Sequence, residues 1–298
     1  MKVLITGATG NVGASLVPVF IDNDKVESIG LMIRPDSSIP AHFSHPKCIV
    51  IPIDEHIKLS VKDYNADVVI HLASYLTSSH EESVIDQLID SNISFGTHLL
   101  DSLRGTDIKL FVNVGSFSEY HNQVDSYDPT YLYSATKHAF RSILKYYSEV
   151  GRYKVFHVVP YSIYGGLEPK KKIIDILIDA LSSEHPIELS SGKQKLDFIH
   201  IDDVTDFFNT LLNADVRFDN EEVIHLGTGS ATSLIELANL LESITNRKLN
   251  VAWGAKKDRE RDTVFSVSPV FQYDILGWKP SIGIEDGLKR LLQLKGAL

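Results

Sequence analysis

Thr6-Gly7-Ala8-Thr9-Gly10-Asn11-Val12-Gly13 follows the apolar run Met1–Thr6 (MKVLIT) and leads into the helix-period stretch Val12–Asp22. Three glycines at this spacing permit a tight turn, close approach of backbone to a pyrophosphate, and close helix–strand packing. The helix N-terminus that follows offers unpaired N–H groups and the positive end of its dipole to a phosphate. Glycines also mark ordinary turns, so the pattern counts here because strand, loop and helix occur together. It predicts a dinucleotide-binding start, with Thr6, Gly7, Thr9, Gly10, Asn11, Val12 and Gly13 around the phosphates.

Outward from this loop, short apolar runs alternate with amphipathic ones, the pattern of parallel strands joined by helices. Further strands are expected at Ser28–Ile33, Cys48–Ile53, Asp67–Leu72, Lys109–Val114 and Lys154–Val159, and helices at Val84–Leu103 and Tyr133–Val150. Asp67–Leu72 (DVVIHL) is continuous in apolar character, as a strand covered on both faces is. The class is α/β, a Rossmann-type doubly wound parallel sheet. After Pro160 the regular alternation stops. Helices at Lys172–Ser182, Ser233–Thr245 and Ile284–Leu294, with an extended run at Asn250–Trp253, read as a smaller lobe over the carboxyl ends of the strands. The expected division is 1–160 for the dinucleotide-binding domain and 161–298 mainly for the substrate lobe. The chain is expected to return to the first domain near 197–212.

With 298 residues, 43% hydrophobic and 23% charged, the chain has the composition of a soluble globular protein able to bury a large core. Its apolar runs are strand-sized, too short to span a membrane. Met1 leads straight into a strand pattern, so no secretory signal is expected. The single cysteine, Cys48, cannot form an internal disulfide, which fits a reducing cytoplasm. A formal net charge of −10 argues against nucleic acid as a partner.

The end of the second strand decides which dinucleotide binds. An acidic residue there bonds the adenosine ribose hydroxyls and repels a 2′-phosphate; a basic one does the reverse. Leu31-Met32-Ile33-Arg34-Pro35-Asp36 puts Arg34 at that position and favours NADP(H), with Asp36 close by as a counter-signal and NAD as the alternative.

Tyr133-Ser134-Ala135-Thr136-Lys137 sets a phenol and an ammonium four residues apart, one helical turn, on one face. Hydride transfer to or from a carbonyl carbon needs a partner for the oxygen's proton, and a nearby ammonium is expected to favour the phenolate. The pair is common by chance, but its place after the fifth strand makes it specific. A third group is expected from Val112-Asn113-Val114-Gly115-Ser116-Phe117-Ser118. Ser116 is favoured to hold the substrate oxygen, with Ser118 as competitor.

At this point the chain resembles the extended short-chain dehydrogenases/reductases, the group of NAD-dependent nucleotide-sugar epimerases, dehydratases and reductases, nearly end to end. The resemblance implies that Asp54 contacts adenine, and that Leu72, Ala73 and Ser74 (in His71-Leu72-Ala73-Ser74) line the cofactor. It implies the same for Asn92, which precedes Gly96-Thr97, and for Pro160. Tyr161-Ser162-Ile163-Tyr164-Gly165 is similar to the family's substrate-side turn, implying substrate contacts for Tyr161 and Ser162. Leu196–Val204 (LDFIHIDDV), Leu226-Gly227-Thr228-Gly229 and Leu276-Gly277-Trp278-Lys279-Pro280 look like its later hallmarks.

Departures narrow the chemistry. Where the family's 4,6-dehydratases carry an Asp-Glu pair after the active hydroxyl, this chain has Phe117 and Ser118, and Glu119 lies one position too late. The reactive cysteine of the GDP-fucose-forming members is Ser118 here. The wording around Ser116 and Tyr133 resembles the reductases of CDP-abequose and CDP-paratose synthesis, so an NADPH-dependent 4-ketoreductase for surface polysaccharide precursors is favoured over an NAD-dependent 4-epimerase. A non-catalytic NADP-binding regulator and an oxidoreductase of a free, non-nucleotide substrate are the rivals from other classes.

For the substrate diphosphate, Arg259 matches the family's late arginine, with Arg261 nearly as good. Leu196 replaces the arginine expected before Asp-Phe-Ile, so Lys195 is the substitute. The run Lys170–Lys172 reads as a solvated helix entrance. His121, His157 and His200 lack metal-ligand spacing, and no metal is expected. A homodimer through Val84–Leu103 and Tyr133–Val150 is implied by the resemblance.

Overall fold

The structure, a computed structural model, describes residues 1–79, 81–122, 124, 126–166, 171–214, 221–259, 261–269 and 276–298. The chain opens as β1 (Lys2–Thr6), α1 (Asn11–Ile21), β2 (Ser28–Ile33), β3 (Cys48–Pro52), α2 (Ile57–Tyr64) and β4 (Val68–His71). It continues through α3 (Ile85–Ile89), α4 (Phe95–Ser102), β5 (Leu110–Val114), α5 (Leu132–Gly151) and β6 (Lys154–Pro160). Then come β7 (Ser162–Tyr164), α6 (Ile173–Asp179), β8 (Ile187–Leu189), β9 (Lys195–His200), α7 (Ile201–Asn213) and β10 (Glu222–Leu226). The last elements are β11 (Ala231–Ser233), α8 (Leu234–Thr245), β12 (Val251–Trp253), β13 (Phe265–Ser266) and α9 (Ile284–Leu294).

Seven parallel strands form the main sheet in the order β10-β6-β5-β4-β1-β2-β3. Both faces are covered, and the strands alternate between them. Val3 and Ile5 of β1 join the core under α1 and α7, which contributes Leu16, Phe20, Phe207 and Phe208. Leu4 points the other way, into the core under α2, α4 and α5 with Leu99, Phe140 and Leu144. Period-two alternation buried on both sides is why these strands read as unbroken apolar runs. The strand order reverses between β1 and β4, and ligands bind such sheets in the crevice at that point.

Two features depart from the sequence expectation. A seventh strand, β10, pairs with β6 at the sheet edge, in register from Glu222 opposite Phe156 to Leu226 opposite Pro160. The expected helix over 84–103 is interrupted by a π-helical turn at Asp90–Ser94 between α3 and α4. Outside the main sheet, β9 pairs with β7, β11 and β13, and β8 pairs with β12. A third core gathers α6, α8 and α9 around Leu177, Leu237 and Leu291. No helix among the described residues is long and apolar enough to cross a membrane.

Candidate active site

The glycine loop lies at the switch point. Gly7 sits at φ 68°, and a Cβ there would meet the Ala73 amide nitrogen at 2.8 Å. The loop therefore needs glycine both for its handedness and for its approach to the exit of β4. The Gly10 N–H closes the turn on the Gly7 carbonyl at 3.0 Å. α1 begins at Gly10 with no side-chain cap and no acid in its first turn, so its end presents bare N–H groups to an anion. A dinucleotide pyrophosphate fits this cradle. Thr9, Asn11 and Val12 line it half-buried, while Gly13 is buried beneath it.

Thr6 has a different job. It is fully buried, its hydroxyl lies 2.9 Å from His71 Nδ1, and it accepts the Ala73 N–H at 3.1 Å. It holds the ends of β1 and β4 together. Asn92 is likewise committed inside the protein. Its carboxamide accepts the Tyr75 N–H at 2.8 Å and donates to Thr136 Oγ1 at 2.9 Å. Seated in the π-helical turn, it ties the segment after β4 to α5. At the rim, Arg34 and Asp36 stand exposed beyond β2 with Nε and Oδ1 3.9 Å apart. Asp54 accepts the His56 N–H at 2.9 Å, opening α2.

α5 carries the reactive pair. Tyr133 and Lys137 are both buried, and the side chains of Ser74 and Ser116 act on the Tyr133 phenol as polar neighbours that ease its ionisation. Burial pushes the phenol up to about 12, the Glu119 charge adds to this, and the two serines oppose it. Burial pulls the Lys137 ammonium down to about 8, with Glu119 opposing and Arg141 assisting. Burial thus outweighs the expected pull of the ammonium on the phenol, which stays protonated at neutral pH. His71, below the pair, is drawn to about 3 by burial and then by Lys137, so it adds no charge.

The two competing serines separate cleanly. Ser116 is half-buried and eases the ionisation of the phenol. Ser118 is buried behind it, accepting from Ser134 Oγ at 2.7 Å and meeting Ser116 Oγ at 2.8 Å. Ser118 is a support for Ser116.

On the far side, Tyr161 stacks on Phe117 with ring centroids 5.6 Å apart, and its hydroxyl lies 3.2 Å from His225 Nδ1. Pro160 ends β6 opposite Leu226, and Ser162 opens β7 opposite Phe198. Lys195 is exposed at the start of β9. Arg259 is exposed, its charge easing ionisation of Tyr131, and the Tyr131 hydroxyl donates to Asp262 Oδ1 at 3.0 Å. Arg261 pairs with the Asp128 carboxylate and donates to the Pro129 carbonyl at 3.2 Å. Arg261 therefore fastens the loop that leads into α5. In the lysine run, Lys171 pairs with Asp179 and Lys172 donates to the Ile163 carbonyl; Lys170 lies outside the described residues.

The sequence reading missed Arg141. It lies half-buried under the turn that carries Ser116, paired with Glu119 at 3.1 Å. The signal was present: Tyr133, Lys137 and Arg141 repeat every four residues along one face of α5.

The profile of the NAD dependent epimerase/dehydratase family matches residues 3–227, which takes in the glycine loop, Ser116, Tyr133 and Lys137. The chain belongs to this family. It is an NAD(P)-dependent enzyme of the short-chain dehydrogenase/reductase type. Over 264 residues it is 26% identical to a CDP-abequose synthase of Yersinia pseudotuberculosis, covering 87% of this chain and 90% of that protein. It is also 26% identical over 309 residues to a putative UDP-glucose 4-epimerase of Methanocaldococcus jannaschii, covering 97% of each. Among solved structures, the UDP-glucuronic acid 4-epimerase of Bacillus cereus superposes with a TM-score of 0.87 at 19% identity, over 99% of this chain and 100% of that one. At that identity the superposition speaks for the fold of this family member alone.

Proposed function

We propose that this enzyme reduces a 4-keto-deoxyhexose carried on a CDP or dTDP nucleotide, with NADPH as reductant, to make a precursor of surface polysaccharide. The observation that carries the reading is the seat of Glu119. It is the one carboxylate of the Ser116–Tyr120 turn, and it is fully buried against Arg141 and the Ser116 amide. Phe117 and Ser118 precede it, so the turn has no acid–base pair for dehydration. What remains is a buried, protonated phenol near the Ser116 turn, suited to giving one proton to a carbonyl oxygen.

The cofactor would supply the hydride, held by Gly7, Thr9, Gly10, Asn11, Val12 and Gly13, with Leu72, Ala73 and Pro160 at its nicotinamide end. Arg34 would bond a 2′-phosphate and Asp54 the adenine. Tyr133 donates its proton to the sugar oxygen as hydride arrives at carbon 4, and Ser116 hydrogen-bonds that oxygen. Lys137 stabilises the phenolate left on Tyr133. Tyr161, Ser162, Lys195 and Arg259 would hold the sugar and its diphosphate. The reading includes a dinucleotide-binding domain over 1–160, a substrate lobe mainly over 161–298, and a homodimer.

The relatedness to CDP-abequose synthases supports the reductase. The equal identity to a putative UDP-glucose 4-epimerase keeps 4-epimerisation as the second reading. That reaction begins with Tyr133 taking a proton, whereas burial keeps the phenol protonated. The test is NADPH oxidation against CDP-, dTDP-, GDP- and UDP-linked 4-keto-6-deoxyhexoses. Stoichiometric oxidation with one of them supports the reductase; interconversion of UDP-hexoses with no net change in cofactor would replace it with the epimerase.

A further inference from the structure

Glu119 is fully buried, and it touches neither the phenol nor the glycine loop. A buried carboxylate is costly unless paired and hydrogen-bonded, so its position asks for an account. Its Oε1 accepts the backbone N–H of Ser116 at 2.8 Å, while the Ser116 hydroxyl accepts the Ser118 N–H at 3.3 Å. These reciprocal bonds form a capping box over the short turn Phe117–Glu119. The other oxygen, Oε2, faces α5, with Arg141 Nη2 at 3.1 Å and His138 Nδ1 at 3.6 Å. Arg141 lies one turn beyond Lys137 and two beyond Tyr133, and also donates to the Tyr120 hydroxyl at 3.2 Å.

One carboxylate thus joins the turn that holds Ser116 to the helix that holds Tyr133. We infer that Glu119, clamped by Arg141, is a positioning residue that fixes Ser116 against the Tyr133 phenol. The inference rests on reading Tyr133 as proton donor and Ser116 as its partner on the substrate oxygen. Fixed geometry matters here because a displacement of about 1 Å at a reacting group costs on the order of 10²-fold in rate. The charges act alongside the geometry, since Glu119 opposes the loss of the Lys137 proton that Arg141 and burial favour.

The test compares two double variants that each remove the charged pair, so neither leaves a lone buried charge. E119L/R141M deprives the Ser116 amide of its acceptor; E119Q/R141M restores an acceptor oxygen. E119L/R141M is expected to lose about 10–100-fold in kcat, with the KM for NADPH unchanged and faster exchange of the Ser116 amide hydrogen. E119Q/R141M is expected to recover most of that loss and to protect the amide. Equal kcat in the two, or a Ser116 amide equally protected in both, overturns the inference. If E119L/R141M does not fold, Glu119→Asp keeps the partner for Arg141 while drawing the carboxylate away from Ser116. It is expected to lose about 10-fold in kcat and to expose the Ser116 amide, and full activity with a protected amide overturns the inference equally. Failure of wild type to reduce any keto sugar would sink the reductase reading instead, while the amide exchange still judges the role of Glu119.

Discussion

Tyr133 and Lys137 lie one turn apart on α5, and burial drives their acidities apart, the phenol up to about 12 and the ammonium down to about 8. Below about pH 8 the site holds a protonated phenol beside an ammonium, the state that gives a proton and then stabilises the phenolate. Above it the ammonium is lost first. Turnover in the reductive direction should therefore fall as pH rises through about 8, and Lys137→Met should be slow without that step. Stability should respond in the opposite sense. The native pKa of Lys137 lies below its ordinary 10.5, so between about 8 and 10.5 the unfolded chain binds more protons and this residue's penalty on folding is relieved. A kcat profile flat from pH 6.5 to 9.5 would contradict the assignment.

Tyr133→Phe keeps the ring in its buried seat and removes only the proton. Turnover should drop by about 10²–10⁴-fold, the range for loss of a positioned general acid. Dinucleotide affinity, followed by thermal shift or fluorescence, should stay near wild type because the pyrophosphate cradle is at Gly7–Gly13. Activity at the wild-type level would show that another group carries the proton.

The parts of this architecture that were legible in the sequence are those where one physical pressure acts alone. Interior strands buried on both faces must be apolar throughout, and β2 is found at Ser28–Ile33 as expected. α9, amphipathic over Ile284–Leu294, is found likewise. β10 escaped because an edge strand keeps polar residues, here Glu222 and His225 among Val223, Ile224 and Leu226. The break at Asp90–Ser94 escaped because one extra residue in a helical turn leaves the apolar spacing nearly intact. At the site, the spacing of Tyr133 and Lys137 was visible, whereas the choice between Ser116 and Ser118 turned on burial. Glu119 and Arg141 lie twenty-two residues apart, and only the fold shows that they meet inside the protein.

Arg34 and Asp36 both project beyond β2, at 72% and 82% side-chain exposure, paired with each other at 3.9 Å. An exposed pair at that distance contributes little to stability, so either partner is free to be judged by ligand binding. Arg34→Ala should raise the KM for NADPH by about 10-fold, equivalent to one lost charge-assisted bond to a 2′-phosphate. The KM for NADH should stay within about twofold and the melting temperature should not move. A variant with unchanged preference would transfer the choice of cofactor to other residues of the adenosine end.

Helices α3 and α5 expose apolar side chains at helical spacing, Ile85 (41%) with Ile89 (38%), and Tyr146 (65%) with Val150 (51%). The two helices pack on one another, and these pairs lie exposed along their length, where exposed apolar groups mark association sites. A second copy of the chain meets this requirement, because a two-fold axis lets one patch cover itself. Light scattering at micromolar concentration should give a mass near twice 33.2 kDa. Tyr146→Glu with Ile89→Asp should shift it to the single-chain value. Tyr133 and Lys137 are buried within their own chain, so kcat per chain should stay within about threefold while the melting temperature falls and becomes independent of concentration. A wild-type mass of one chain, or a double variant that still pairs, would show that this face does not join the copies.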